Sequence, residues 1–137
     1  MRTWIPALLF FTFTFHAMGQ TGMPQVREVD ENTLYWFLVN RVNQVVVLGL
    51  PPERIGRALE NKKVTLLLGN EKPPAWAGKA RVVRMGGGPM GGVLLLADNQ
   101  FLVGRKAEKG REVWLIVESP PMVQIIQGYF QAVLGAR

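Results

Sequence analysis

The residues best placed to do chemistry run from Gly86 to Gly104, GGGPMGGVLLLADNQFLVG: a glycine loop, an apolar run, an Asp-Asn pair and a second apolar run. A loop this rich in glycine can gather backbone N–H groups into a nest for an anion. Phosphate-binding loops, however, open helices and carry Gly-Lys-Ser or Gly-Lys-Thr, whereas this loop leads into a strand-like run and carries neither. The segment LGLPPERIG (48–56) likewise lacks the G-x-G-x-x-G of a dinucleotide site. The loop therefore reads as a flexible connection.

The wider inventory of reactive side chains is short. The only histidine is His16, there is no cysteine, and the one serine, Ser119, precedes two prolines as a helix cap with no base beside it. Past residue 19 the chain thus lacks the most frequent general base and metal ligand and the most nucleophilic side chain. No metal site and no cofactor is implied. Asp98 is explained by the turn alone, since Asp followed by Asn favours the left-handed backbone of a tight hairpin. Arg84, Arg105, Lys106 and Arg111 flank that hairpin and are the candidate anion-binding residues, against the usual role of scattered cations as a solvated surface. Trp36 and Trp114 fall in core-patterned elements, whereas Trp76, in the proline-bearing loop NEKPPAWAGK (70–79), reads as an exposed stacking or partner-contact residue.

Length and composition frame these candidates. At 137 residues the chain suits one domain. The opening MRTWIPALLFFTFTFHAMGQ has one cation, an apolar run and small residues at a signal-peptidase position, which predicts a signal peptide over 1–19 cut after Gly19 and a secreted or periplasmic product. The run is shorter than the ~20 residues of a spanning helix. Cleavage would remove one of the 16 basic residues and none of the 10 acidic ones. A basic exported domain is drawn to anionic partners: nucleic acid, phospholipid head groups or cell-wall polymers. Without cysteine it has neither disulfides nor a lipid-bearing thiol, and packing alone must hold it.

Periodicity supplies the scaffold. Residues 20–29 read as a leader without regular structure. Asp30 caps a helix over 31–42 with Leu34, Phe37, Leu38 and Val42 inward, followed by the strand 45–50, a second helix opened by Pro51-Pro52 and reaching Asn61, and the strand 64–69. Helix and strand alternating over short connections predict a parallel pair. A strand over 81–85, the hairpin turning at Asp98-Asn99, a charged loop over 105–112, a buried strand over 113–117 and a helix from Pro120 complete the chain. The prediction is a single α/β domain over 30–137, a mixed sheet with parallel early strands, a late hairpin and helices on both faces.

In that setting MGGVLLLADNQFLVG resembles the motif segment of the phospholipase D superfamily, His-x-Lys-x-x-x-x-Asp, commonly led by Met and followed by a hairpin ending in Gly-Ser. The register puts Met90 at the lead, Gly91 at the histidine, Val93 at the lysine, Asp98 at the aspartate and Gly104 at the hairpin glycine. PPERIGRALENKKVTLLLG and VWLIVESPPMVQIIQGYFQAVLGAR are similar to the flanking elements of a family half, so the likeness covers about 30–137. The resemblance implies a phospholipase D-like half in which two motifs meet, one histidine attacking phosphorus, the other protonating the leaving group, and lysines holding the phosphate oxygens. Here Gly91 offers no nucleophile and Val93 no cation, and Arg105 follows Gly104 where the family has serine. The expectation is a non-catalytic binding or structural module for an anionic ligand or a related protein, as a homodimer or paired with another phospholipase D-like chain. The alternative is a phosphodiesterase working through unconventional residues or with an intact partner. Kinship predicts Gly91, Val93 and Asp98 along one cleft-facing edge.

Overall fold

A computed structural model describes residues 24–108 and 111–135, with side chains from 107 to 112 outside the description. The expected signal peptide, its expected cleavage site and the Arg111 side chain fall outside the described residues. The elements run β1 (Gln25–Val29), α1 (Glu31–Arg41), β2 (Gln44–Leu48), α2 (Glu53–Ala58), β3 (Lys63–Leu68), a 3₁₀ turn (Ala75–Ala77), β4 (Arg81–Arg84), β5 (Leu94–Ala97), β6 (Phe101–Glu108), β7 (Arg111–Glu118) and α3 (Pro120–Gly135). The seven strands form one sheet in the order β1-β7-β6-β5-β2-β3-β4, with β2, β3 and β4 parallel and the remaining pairs antiparallel. This is the mixed α/β domain that the sequence predicts.

Alternation along the strands sorts the core into two layers. Val45, Val47, Leu66, Leu68, Leu95, Val103, Trp114 and Ile116 face α1, α2 and the 3₁₀ turn, while Leu67, Val83, Leu96 and Leu102 face α3. The central strands β2, β3 and β5 are apolar on both sides because both sides are covered. Asp30 caps α1 by accepting from the Thr33 N–H, and Leu34, Phe37 and Leu38 form the buried face, Phe37 meeting Phe101 of β6 edge to face at 5.2 Å. On the other side Val123 and Phe130 anchor α3, whose first turn is held by Ser119: its carbonyl accepts from Val123 and its hydroxyl from Met122.

The structure corrects four local expectations. Residues 25–29, read as part of the leader, form β1, because the free edge of β7 offers a complete ladder from Gln25↔Glu118 to Val29↔Trp114. The charged loop at 105–112 is instead the far end of a long hairpin, the β6–β7 ladder continuing to Glu108↔Arg111. α2 stops at Ala58 rather than Asn61, where the chain tightens into three-residue bonds from Leu59 to Gly56 and Lys62 to Leu59. The tryptophans exchange roles: Trp36 is half exposed and Trp76 is buried, its indole lying where any side chain on Gly56 would stand, 2.2 Å from a β-carbon.

Candidate functional site

Ligands of open α/β sheets sit outside the carboxyl ends of the strands. Here Gly49 directly follows β2 and Gly69 directly follows β3, and the loop 86–92 crosses both on its way from β4 to β5. The crossing is very close. A methyl group on Gly49 would lie 2.0 Å from the carbonyl oxygen of Gly92, and one on Gly69 would lie 1.9 Å from that of Gly88. Gly49 also holds φ at +89°, a backbone state that costs other residues strain. The glycine-rich connection is therefore seated on the sheet rather than swinging free, and the seat is made by the glycines that end the two strands.

The Glu71 side chain pins it there, and Arg84 braces the end of β3 beside it. The Glu71 carboxylate accepts from the Gly69 N–H at 2.7 Å and from the Met90 N–H at 2.8 Å, tying the end of β3 to the middle of the loop. Arg84 donates to the carbonyls of Gly69 and Glu71. Partial burial raises the Glu71 pKa, but the N–H groups of Glu71 itself, Met90 and Gly69, aided by the Arg84 charge, outweigh it and hold the carboxyl below the ordinary 4.5. A depressed carboxylate stabilises the fold above its unfolded pKa, and that stabilisation is lost as pH falls through the folded value. Acidification below about pH 4.5 is therefore expected to release the loop. Amide exchange at Gly69 and Met90, corrected for the intrinsic rate, should accelerate in that window, and Glu71→Gln should remove the pH dependence.

The predicted site residues separate between the two ends of the sheet. Gly91 and Val93 lie at this edge, Gly91 exposed with open space around its α-carbon and Val93 packed against the core. Asp98 lies at the other end of β5, about 16 Å from Val93 at ~3.3 Å per strand residue. The expectation of one shared edge is thus corrected for Asp98. Asp98 and Asn99 take φ of 53° and 54°, and Gln100 donates to the Ala97 carbonyl, the two-residue turn that the sequence predicts. Beyond the turn, Asp98 Oδ1 accepts from the N–H groups of Asn43 and Gln44 at 3.0 and 2.9 Å, welding the hairpin to the start of β2.

The candidate anion contacts are largely occupied within the fold. Arg84 donates to the Gly69 and Glu71 carbonyls. Lys106 pairs with Glu28 of β1 at 2.7 Å, and the Arg105 guanidinium lies over the Trp114 ring at 5.2 Å. Both continue β6 past Gly104, which pairs with Leu94 at the head of β5, so they stand beside the motif-like edge without opening a pocket of their own. Among the described residues no three His, Cys, Asp or Glu side chains gather as metal ligands, and no helix is long and apolar enough to cross a membrane.

No family model and no curated protein matches the chain by sequence. Solved structures do match by shape. NucT from Helicobacter pylori superposes with a TM-score of 0.60 at 12% identity, covering 82% of this chain and 97% of its own. The phospholipase D family member Nuc from Salmonella typhimurium gives 0.60 at 9%, covering 82% and 95%. This chain has the phospholipase D-like fold. A third neighbour, TrmBL2, described as an archaeal chromatin protein with a novel mode of DNA binding, gives 0.52 at 13%, covering 96% of this chain and 60% of its own. Seen as a phospholipase D-like fold, the molecule keeps the sheet and hairpin, while its motif-like edge presents glycine, valine and a seated backbone loop.

Sequence reasoning missed the seat of that loop, although a signal was present. VVVLG (45–49) and VTLLLG (64–69) both end an apolar strand on glycine, the residue demanded where another backbone approaches closely.

Proposed function

We propose that this protein is a non-catalytic phospholipase D-like domain that works by association, its partner being a second copy of the chain docked along α3. One observation carries the reading: α3 has sixteen residues without a single charge, yet Met122, Ile125 and Tyr129 stand exposed on its outer side, Ile125 at 70%. In a two-fold interface residues near the axis meet their own kind, so a charged face repels itself and an uncharged one does not. On a chain with 16 basic residues against 10 acidic ones, such a face is suited to self-pairing. Gly128 and Ala132, both exposed and one turn apart, let a second helix come close. Three exposed apolar side chains supply ~1.5–3 kcal/mol each when fully buried, so the affinity expected is micromolar rather than nanomolar.

Loss of catalysis is supported by Gly91 and Val93 at the motif positions and by a sole histidine at position 16. The amino-terminal sequence supports export. The anionic-ligand reading draws support from the DNA-binding neighbour TrmBL2, but Arg84, Arg105 and Lys106 make contacts within the fold, which favours a protein partner at the motif edge.

Light scattering across a concentration series should show a reversible dimer, converted to monomer by Ile125→Glu at unchanged thermal midpoint. A concentration-independent monomer overturns the association. Hydrolysis of an activated phosphodiester well above the uncatalysed rate overturns the catalytic silence.

A further inference from the structure

The end of the sheet opposite the motif-like edge gathers five cations. Arg41 closes α1, Lys62 and Lys63 lead into β3, and Lys79 and Arg81 lead into β4. Backbone register sets two of them, Lys63 and Arg81, on neighbouring strands, while Arg41 and Lys62 stand on the α1 side of the sheet. Gln44 pairs with Lys63 and Thr65 with Arg81 across adjacent parallel strands, while Lys62 Nζ donates to the Val39 carbonyl at 2.8 Å in the last turn of α1. Strand alternation sends Gln44, Lys63, Thr65 and Arg81 to the side of Leu67 and Val83, the face that α3 covers further along the sheet. Lys63 and Arg81 are exposed and Thr65 half-buried, so at this end the face is open.

Beside Lys63 is a depression of about 130 Å³ lined by Gln44, Lys63, Thr65 and Asn99 together with Val45, Val46 and Leu96. One ammonium, two amides and a hydroxyl around a small hollow are donors suited to a phosphate oxygen. Of the acids at this end, Asp98 has Oδ1 engaged by the Asn43 and Gln44 N–H groups, and Glu60 shares a separate hollow with Lys79. Among the described residues no ion pair neutralises Arg41, Lys63, Lys79 or Arg81.

We infer that this end of the sheet binds the phosphate backbone of nucleic acid, without reading its bases. Lys63, Gln44, Thr65 and Asn99 take one phosphate in the hollow, and Arg81, Lys79 and Arg41 meet its neighbours along the strand. A lipid surface shares the phosphate chemistry, but the exposed residues between these cations are Asn43, Gln44, Asn61 and Asn99, with no large apolar side chain to enter a bilayer. The inference stands apart from pairing through α3, and a monomeric variant retains it.

The test is fluorescence anisotropy of a labelled oligonucleotide titrated with the full chain over a salt series, alongside sedimentation with vesicles of phosphatidylcholine and phosphatidylglycerol. Four or five phosphate contacts predict a log–log salt slope of about −3 to −4. Lys63→Gln with Arg81→Gln should weaken binding at least tenfold and reduce the slope by about 1.5, at unchanged thermal midpoint, because neither side chain supports the fold. Arg105→Gln, at the opposite edge, should leave the affinity within twofold. Absence of oligonucleotide binding at low salt overturns the inference, as does a loss confined to Arg105→Gln. Stronger vesicle than oligonucleotide binding, abolished by the double variant, replaces it with a lipid site.

Discussion

Gly49→Ala is expected to lower stability by about 2–5 kcal/mol, the sum of left-handed strain on a residue with a β-carbon, ~1–2 kcal/mol, and overpacking, ~1–3 kcal/mol. The geometry leaves no side-step, because the obstructing atom is the Gly92 carbonyl oxygen, 2.0 Å from the added methyl, and that carbonyl belongs to the chain entering β5. Gly69→Ala meets the Gly88 carbonyl in the same way and should cost nearly as much without the strain of a positive φ. Gly91→Ala is the control: nothing lies within 4 Å of its added methyl, so stability should change by less than about 0.5 kcal/mol. Chemical denaturation of the three variants tests the seat directly. A Gly49→Ala protein as stable as the parent would mean that the loop does not rest on β2. The contrast also has functional content, since the motif-aligned glycine tolerates a side chain whereas the glycines at the strand ends do not.

The second large effect belongs to Trp76. Its indole is 7% exposed and packs against Gly56 of α2, so Trp76→Ala should cost about 3–5 kcal/mol through lost burial and a cavity that the short α2 cannot close. Gly56→Val should do similar damage from the other side by driving the ring out. A partner-contact tryptophan behaves differently, losing a binding partner while leaving the denaturation midpoint in place. Denaturation of Trp76→Ala therefore separates the two roles, and a stable variant would return the residue to the surface.

What the sequence makes legible here is whatever depends on neighbours in the chain. The Asp98-Asn99 turn, the cap at Asp30, the buried face of α1 and the parallel β2–β3 pair all follow from local spacing. Trp36 was within reach of the same reasoning, because Leu34, Phe37 and Leu38 fix the inward side of the helix and leave position 36 facing water. The features that escape are tertiary. Gln-Val-Arg-Glu-Val has two charges in five residues and becomes β1 only because β7 presents an open edge; Lys106 becomes part of a strand with a partner on β1, Glu28, far away in sequence. Trp76 is buried by a glycine twenty residues earlier, a relation that no window around the tryptophan displays. At the candidate site the motif-like phrase is readable, but the anchoring of its loop by Glu71 requires coordinates.

The pairing of residue 25 with residue 118 bears on how the molecule is assembled in time. Among the described residues, the first strand in the chain is an edge strand paired with the last strand, which also carries the connection to α3. Loop-closure entropy for that contact is met only after nearly the whole chain exists, which makes docking of β1 a late event in folding. Until then β7 lacks its outer neighbour and β1 remains a bare extended segment. Deleting 25–29 should therefore leave the rest of the sheet able to collapse while exposing the flank of β7, and the truncated chain should be recognised by its tendency to aggregate.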